Sequence, residues 1–299
     1  MIACTGKPKE DNSAQSQSTE LTPKKKIEIR FGIVPQQAPS TIKKNWAPLA
    51  RFLEEALDAK VYIKTASSIP EFEKRCAKGL YDIAYMNPYH YTVFSKTPGY
   101  RAFARQRDKR IKGILVVSKD SEAKELSEFE GLNAAFPSPA AFAASLLTRS
   151  KFKSLGVNIQ PTYVKSHDSV YANVQSGIYP VGGGVLRTFR STPKEIREGL
   201  RILWTTKEYT PHAFAYHPRL SGELVKRLQV AFSRIDQHAK RDEILEPLKF
   251  RGLMKAIDTD WNDVRALGLN ELVHLEKPST KATQTSTDST TESQPPAKE

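Results

Sequence analysis

Apolar and polar positions alternate along the 299-residue chain in two rhythms, and their order predicts the elements. Ile27-Glu28-Ile29-Arg30-Phe31-Gly32-Ile33-Val34-Pro35 alternates, then turns apolar, which predicts a strand ended by proline. Ile42, Trp46, Leu49, Phe52, Leu53, Ala56 and Leu57 recur at helical spacing behind Ser40, the expected cap. Val61 to Thr65 reads as a strand, and Ile69 to Lys78 as a helix closed by Gly79. Asp82 to Met86 is a third strand, stopped at Asn87-Pro88.

This β-α-β-α-β rhythm then returns. Strands are expected at Ile114 to Ser118, Leu132 to Phe136, Thr162 to Lys165, and through the Gly-rich run Val181 to Arg187. Helices are expected at Ala140 to Leu147 and Asp168 to Ser176. Further strands at Ile202 to Thr206 and Ala213 to Tyr216 precede helices from Ser221 to Ala239 and onward to about Leu267. The repetition predicts an α/β fold of two lobes, each a mostly parallel, helix-flanked sheet, joined by a hinge. Lobe 1 covers 27–115, lobe 2 covers 116–208, and 209–275 returns to lobe 1. Ligands in such sheets lie beyond the carboxyl ends of the strands. Those ends carry Gln36 and Gln37, Asn87 to Tyr91, Ser138, Ser166 to Asp168, and Arg187.

Composition changes this picture mainly at the termini. Residues 1–26 and 276–299 are polar and lack apolar periodicity, so they are read as a disordered tether and tail. Ile2-Ala3-Cys4 resembles the end of a bacterial lipobox, which makes Cys4 a candidate for lipidation and membrane anchoring. Cys76, the second of two cysteines, sits in a helical stretch and reads as core packing. The balance of 46 Lys and Arg against 33 Asp and Glu gives +13, which favours anionic partners. The basic residues are dispersed, and the segment before Ile27 is too short and polar for a DNA-binding domain, so no nucleic-acid partner is expected.

Three motifs carry a resemblance. Gly79-Leu80-Tyr81-Asp82-Ile83-Ala84-Tyr85-Met86-Asn87-Pro88-Tyr89-His90-Tyr91 is one; Val116-Val117-Ser118-Lys119-Asp120-Ser121 with Leu126 to Gly131 is the second. The third is Ser166-His167-Asp168-Ser169-Val170 with Val174, Ser176 and Gly177 following. In order and spacing they resemble the phosphate, phosphite and phosphonate family of periplasmic solute-binding proteins that serve ABC importers. The resemblance implies the type II periplasmic-binding-protein fold, closure of the lobes on a small anion, and delivery to an ABC permease. Signalling to a membrane sensor is the alternative. It assigns Tyr91 and His167 to the phosphonate group. Where the family opens a helix with Ser-Thr-Ser, this chain has Ala141, Phe142 and Ala143, with Ser138 upstream. The backbone N–H groups near Ala140 and Ala141 then carry the anion site that hydroxyls would share. Pro180 stands where aminoalkyl-phosphonate binders carry an acid.

From the residues themselves, Tyr85 and Tyr91 are candidate aromatic walls, and Gln36, Gln37 and His167 candidate donors. Asn87 either reaches the ligand or holds the turn before Pro88; Arg187 either meets an anion or lies on the surface. The run Gly182-Gly183-Gly184 lacks the Lys-Ser/Thr of a nucleotide loop and reads as a place of close backbone approach. No Gly-x-Ser-x-Gly elbow, His-Glu-x-x-His or metal-spaced cluster is present, so no enzyme activity, cofactor or metal is expected.

Overall fold

The computed structural model describes residues 1–3, 26–272 and 275. Cys4 and nearly all of the expected tether and tail lie outside these residues.

The first sheet starts with β1 (Ile27–Ile33), whose alternating half leads into a wholly buried end. α1 (Pro39–Leu57) lays Ile42, Trp46, Leu49, Leu53 and Leu57 against the sheet and ends at Asp58, which adopts the left-handed conformation. Ala38, not Ser40, is the residue before its first turn, and Pro39 starts the helix because its missing N–H costs nothing there. β2 (Ala59–Lys64), α2 (Ile69–Ala77), β3 (Ile83–Met86), α3 (Pro88–Phe94) and β4 (Arg101–Gln106) follow. Asp82 pins this region together. Its carboxylate accepts from the Arg30 backbone and guanidinium and from Arg219. Burial raises the Asp82 pKa, but the two arginines outweigh it and hold it below the usual carboxylate range.

The chain then crosses to β5 (Gly113–Ser118), β6 (Asn133–Phe136), a π-helical turn Phe142–Leu146 running into α4 (Leu147–Ser154), β7 (Gln160–Tyr163), α5 (His167–Gln175) and β8 (Val181–Val185). α6 (Leu186–Arg190), α7 (Lys194–Glu198) and β9 (Leu200–Thr205) complete this half. The return brings β10 (Ala213–Tyr216), α8 (Gly222–Arg234), α9 (Arg241–Leu245), β11 (Leu253–Lys255) and α10 (Asn262–Arg265).

The two sheets have the orders β11-β4-β10-β3-β1-β2 and β7-β6-β8-β5-β9. Both are mixed, which corrects the expectation of mostly parallel sheets. β2, β1 and β3 are parallel, as are β7, β6 and β8, but β10, β4, β11, β5 and β9 join antiparallel. The reason is topological: each crossing between sheets returns a strand directly, without the helical crossover that parallel pairing needs. The two crossings run side by side, bridged by Ile111 and Tyr209. The second sheet starts at Gly113, so the expected boundary at 115/116 cuts β5, whereas 208/209 falls within the second crossing. The main apolar core is continuous between the sheets, since Ala140 to Ala144 and Val185 pack with the residues of the first.

Two further expectations change. The strand read through Arg187 stops at Val185, and Arg187 lies in α6. The helix read as Ala140 to Leu147 starts two residues later and continues to Ser154. Ala140 and Ala141 remain outside it because the chain must turn off β6 first.

Candidate functional site

The carboxyl ends of β1, β3, β6 and β8 face one another, and three adjoining cavities lie among them. The innermost, of about 10 Å³, is lined by Val34 and Gln36 after β1, Asn87 after β3, residues 141–144, His167 at the start of α5, and His212 before β10. It shares Gln36 with a cavity of about 190 Å³ that includes Gln37, Tyr85 and Arg187. On its other side it shares Ile111, Val185 and His212 with a cavity of about 250 Å³ that also reaches Tyr85 and Arg187.

Local sequence explains each placement. Ser166 caps α5 by accepting from the Ser169 N–H, which starts the helix at His167 and points that ring inward. Asn87 caps α3 in the same way, accepting from the His90 N–H at 2.8 Å. Its amide nitrogen then donates to the Ala140 carbonyl at 3.3 Å, joining the two sheets at the site. Of its two readings, Asn87 therefore holds the turn before Pro88, and it also lines the innermost cavity. The glycines of β8 let the π-helical turn approach: a Cβ on Gly183 would overlap the Ala144 carbonyl oxygen. The close-approach reading of the glycine run holds. Gly113 leaves room for the Ala143 carbonyl in the same way.

Two imidazoles on the wall of the innermost cavity each have an unpaired nitrogen. His167 is 1 % exposed and His212 4 %, yet His167 Nδ1 and His212 Nε2 have no hydrogen-bond partner among the described residues. Burial, with a smaller effect of the Arg187 charge, pushes the His167 pKa down to about 3. Burial, Arg187 and the other two buried histidines lower His212 as well. Both rings are consequently neutral near pH 7, and each offers one N–H. Phe142, Ala143 and Ala144 add backbone N–H groups of a helix's first turn, where no intrahelical acceptor is available. Arg187 supplies a full charge at the rim, donating to Gln36 Oε1 at 2.6 Å across the gap between the sheets. Compact oxyanions suit this set of donors, since a cluster of N–H groups around a small space solvates negative charge.

Of the residues singled out from sequence, Gln36, Asn87, Ala141 and His167 line the innermost cavity, and Gln37, Tyr85 and Arg187 the spaces beside it. Ala140 enters through its carbonyl. Ser138 is buried with an unpaired hydroxyl but does not line these cavities. Tyr91 points elsewhere: its ring lies 4.6 Å from Trp261 and its hydroxyl donates to Asp258 at 2.7 Å. It sits on α3 rather than on a continuing strand, so the alternation that would bring it to the site does not apply. His212 was missed by sequence reasoning. Its one signal is its position between Pro211 and the apolar strand Ala213–Tyr216, and the ring stacks on Tyr85 at 5.0 Å.

Comparison with known proteins places this geometry. A family model described as the periplasmic substrate-binding protein of phosphonate ABC transporters matches residues 31–261. A curated relative, the probable ABC transporter phosphite binding protein PhnD1 of Prochlorococcus marinus (strain MIT 9301), is 23% identical over 268 residues, covering 80% of this chain and 88% of that protein. The structure of PhnD1 with methylphosphonate superposes with a TM-score of 0.74 at 19% identity, covering 81% of this chain and 97% of that one. A binding component of an ABC phosphonate transporter from Pseudomonas aeruginosa (PA3383) gives 0.75 at 16% identity, covering 81% and 86%.

Proposed function

Because the chain belongs to the family of periplasmic substrate-binding proteins of phosphonate ABC transporters, we propose that it captures a small phosphorus oxyanion at the innermost cavity and presents it to a permease. One observation carries the assignment of the site: two buried, neutral imidazoles, His167 and His212, each with an unpaired nitrogen, line the same small space. A neutral N–H donates to an oxyanion without a counter-charge to be desolvated, and several such donors discriminate by geometry. In this reading His212 and the backbone N–H groups of residues 142–144 take the place of the hydroxyls absent at Ala141, Phe142 and Ala143. Asn87 and Gln36 orient the oxygens, Arg187 adds charge at the rim, and Tyr85 walls the substituent. The family membership and the methylphosphonate complex of the marine relative support phosphorus as the central atom.

The mechanism is binding and closure, with no bond made or broken in the ligand. The innermost cavity has room for about one water, so a phosphonate group enters only as the two sheets move apart. Cys4 is proposed as a lipid attachment point on the strength of Ile2-Ala3-Cys4. Mass spectrometry of the native N-terminal peptide reads this directly, and an unmodified thiol removes the anchor.

Thermal-shift and calorimetric titrations with methylphosphonate, phosphite, phosphate, methanesulfonate and acetate test the ligand class. A phosphorus oxyanion is expected to raise the midpoint by mass action. His167→Ala and His212→Ala should each weaken binding about tenfold or more, as expected for a lost hydrogen bond to a charged group. Stabilisation by the sulfonate or carboxylate alone would overturn the phosphorus assignment. Unchanged affinity in both variants would remove the imidazoles from the site.

A further inference from the structure

The cavity of about 250 Å³ beside the innermost site has Lys109, Arg110, Lys112, Arg187 and Arg190 on its walls. Two are engaged: Arg110 donates to Asp263 at 2.8 Å, and Lys112 pairs with Glu208 at 3.0 Å. Lys109 and Arg190 make no ion pair among the described residues. The acids on the wall are Glu208, already tied to Lys112, and Asp108. Burial, followed by the charges of Arg190, Arg187 and Arg251, holds the Lys109 pKa below its ordinary value. Like charges gathered in a partly enclosed space repel one another and cost the fold stability, unless an anion joins them. The cavity on the opposite side differs: Gln37, Thr41, Asn45, Thr188 and Ser191 make its wall largely neutral and polar, with Lys249 its cation besides Arg187.

We propose that the Lys109–Arg190 cavity is a second oxyanion subsite, so that the ligands preferred are phosphorus oxyanions carrying a second anionic group on a short linker. This rests on the reading of the innermost cavity as the first oxyanion site. The two spaces share Ile111, Val185 and His212, so a substituent leaving the first site past His212 enters the basic cavity directly. Arg187 lines the cavity and reaches toward the first site through Gln36.

Isothermal titration of the full chain with methylphosphonate and ethylphosphonate, against phosphonoacetate and methylenediphosphonate, tests this. The doubly anionic pair should bind about tenfold more tightly, and about 0.5 M salt should shrink that advantage through screening. A Lys109→Gln/Arg190→Gln variant should lose the advantage while its methylphosphonate Kd stays within about twofold, since neither side chain lines the first site. Equal affinities for all four ligands, or a preference retained in the variant, would overturn the subsite and leave the first site standing. Absence of binding by every ligand to folded protein would overturn the first site, and the subsite with it.

Discussion

His167 shows what burying an unpaired imidazole does to stability. Its ordinary pKa is 6.5, and burial, helped by Arg187, pushes it to about 3 in the folded protein. Between these values the unfolded chain takes up a proton that the folded chain refuses. The stabilising effect of keeping the ring neutral is therefore full above pH 6.5 and is lost as pH falls toward 3. At pH 5 the loss from His167 amounts to about 2 kcal/mol, and the lowered pKa of His212 acts with the same sign. Thermal midpoints at pH 7 and pH 5 should differ more in the native protein than in His167→Gln; equal differences would mean that the ring is not buried neutral. His167 was legible because a motif and a capping serine mark it. His212 was not, since its role comes from a contact with Tyr85, which is 127 residues away in the chain, and no local pattern records that.

At the scale of elements, β8 and the π-helical turn form a single fitted unit. Gly182 meets Val170 and Val174, Gly183 the Ala144 carbonyl, and Gly184 the Tyr171 ring, so each glycine is kept by a different neighbour. Gly183→Ala should destabilise the protein by about 1–3 kcal/mol through overpacking and weaken anion binding, because it pushes away the turn that presents residues 142–144. Gly222→Ala, at an open position on α8, is the control and should leave binding unchanged and stability equal or slightly raised. Urea denaturation and calorimetry read both effects; a Gly183→Ala protein with native stability would mean that the turn yields freely. Most helices were legible because one face is buried and one is wet. α3 was not: all seven of its residues are buried, so it has no amphipathic period to detect. β4 and β11 escaped notice for the opposite reason, since they are short or carry arginines, and pairing with β10 and with each other is what makes them strands.

For the whole molecule, two sheets meet at a site too small for the anion it is proposed to hold, with Gln36 and Arg187 joined across the gap. The paired crossings at Ile111 and Tyr209 are the only direct backbone connections between the sheets among the described residues, so separation of the sheets is expected to pivot there. The small-angle scattering profile should change on saturation with methylphosphonate, because the sheets must move to admit an anion that the ligand-free site is too small to hold. Identical profiles under conditions where calorimetry shows binding would argue for entry by side-chain motion alone. The alternation of strands and helices, the repetition of the α/β unit, and the polarity of the strand ends were all readable along the chain, because they follow from local periodicity and turn chemistry. The chain's motifs also carried the family. Which of those ends meet, that Tyr91 turns to Asp258, and that His212 and a basic cavity lie beside His167 came only with tertiary packing. Such contacts bring together residues far apart in the chain, and their energies depend on burial and neighbouring charge, which exist only once the sheets have packed.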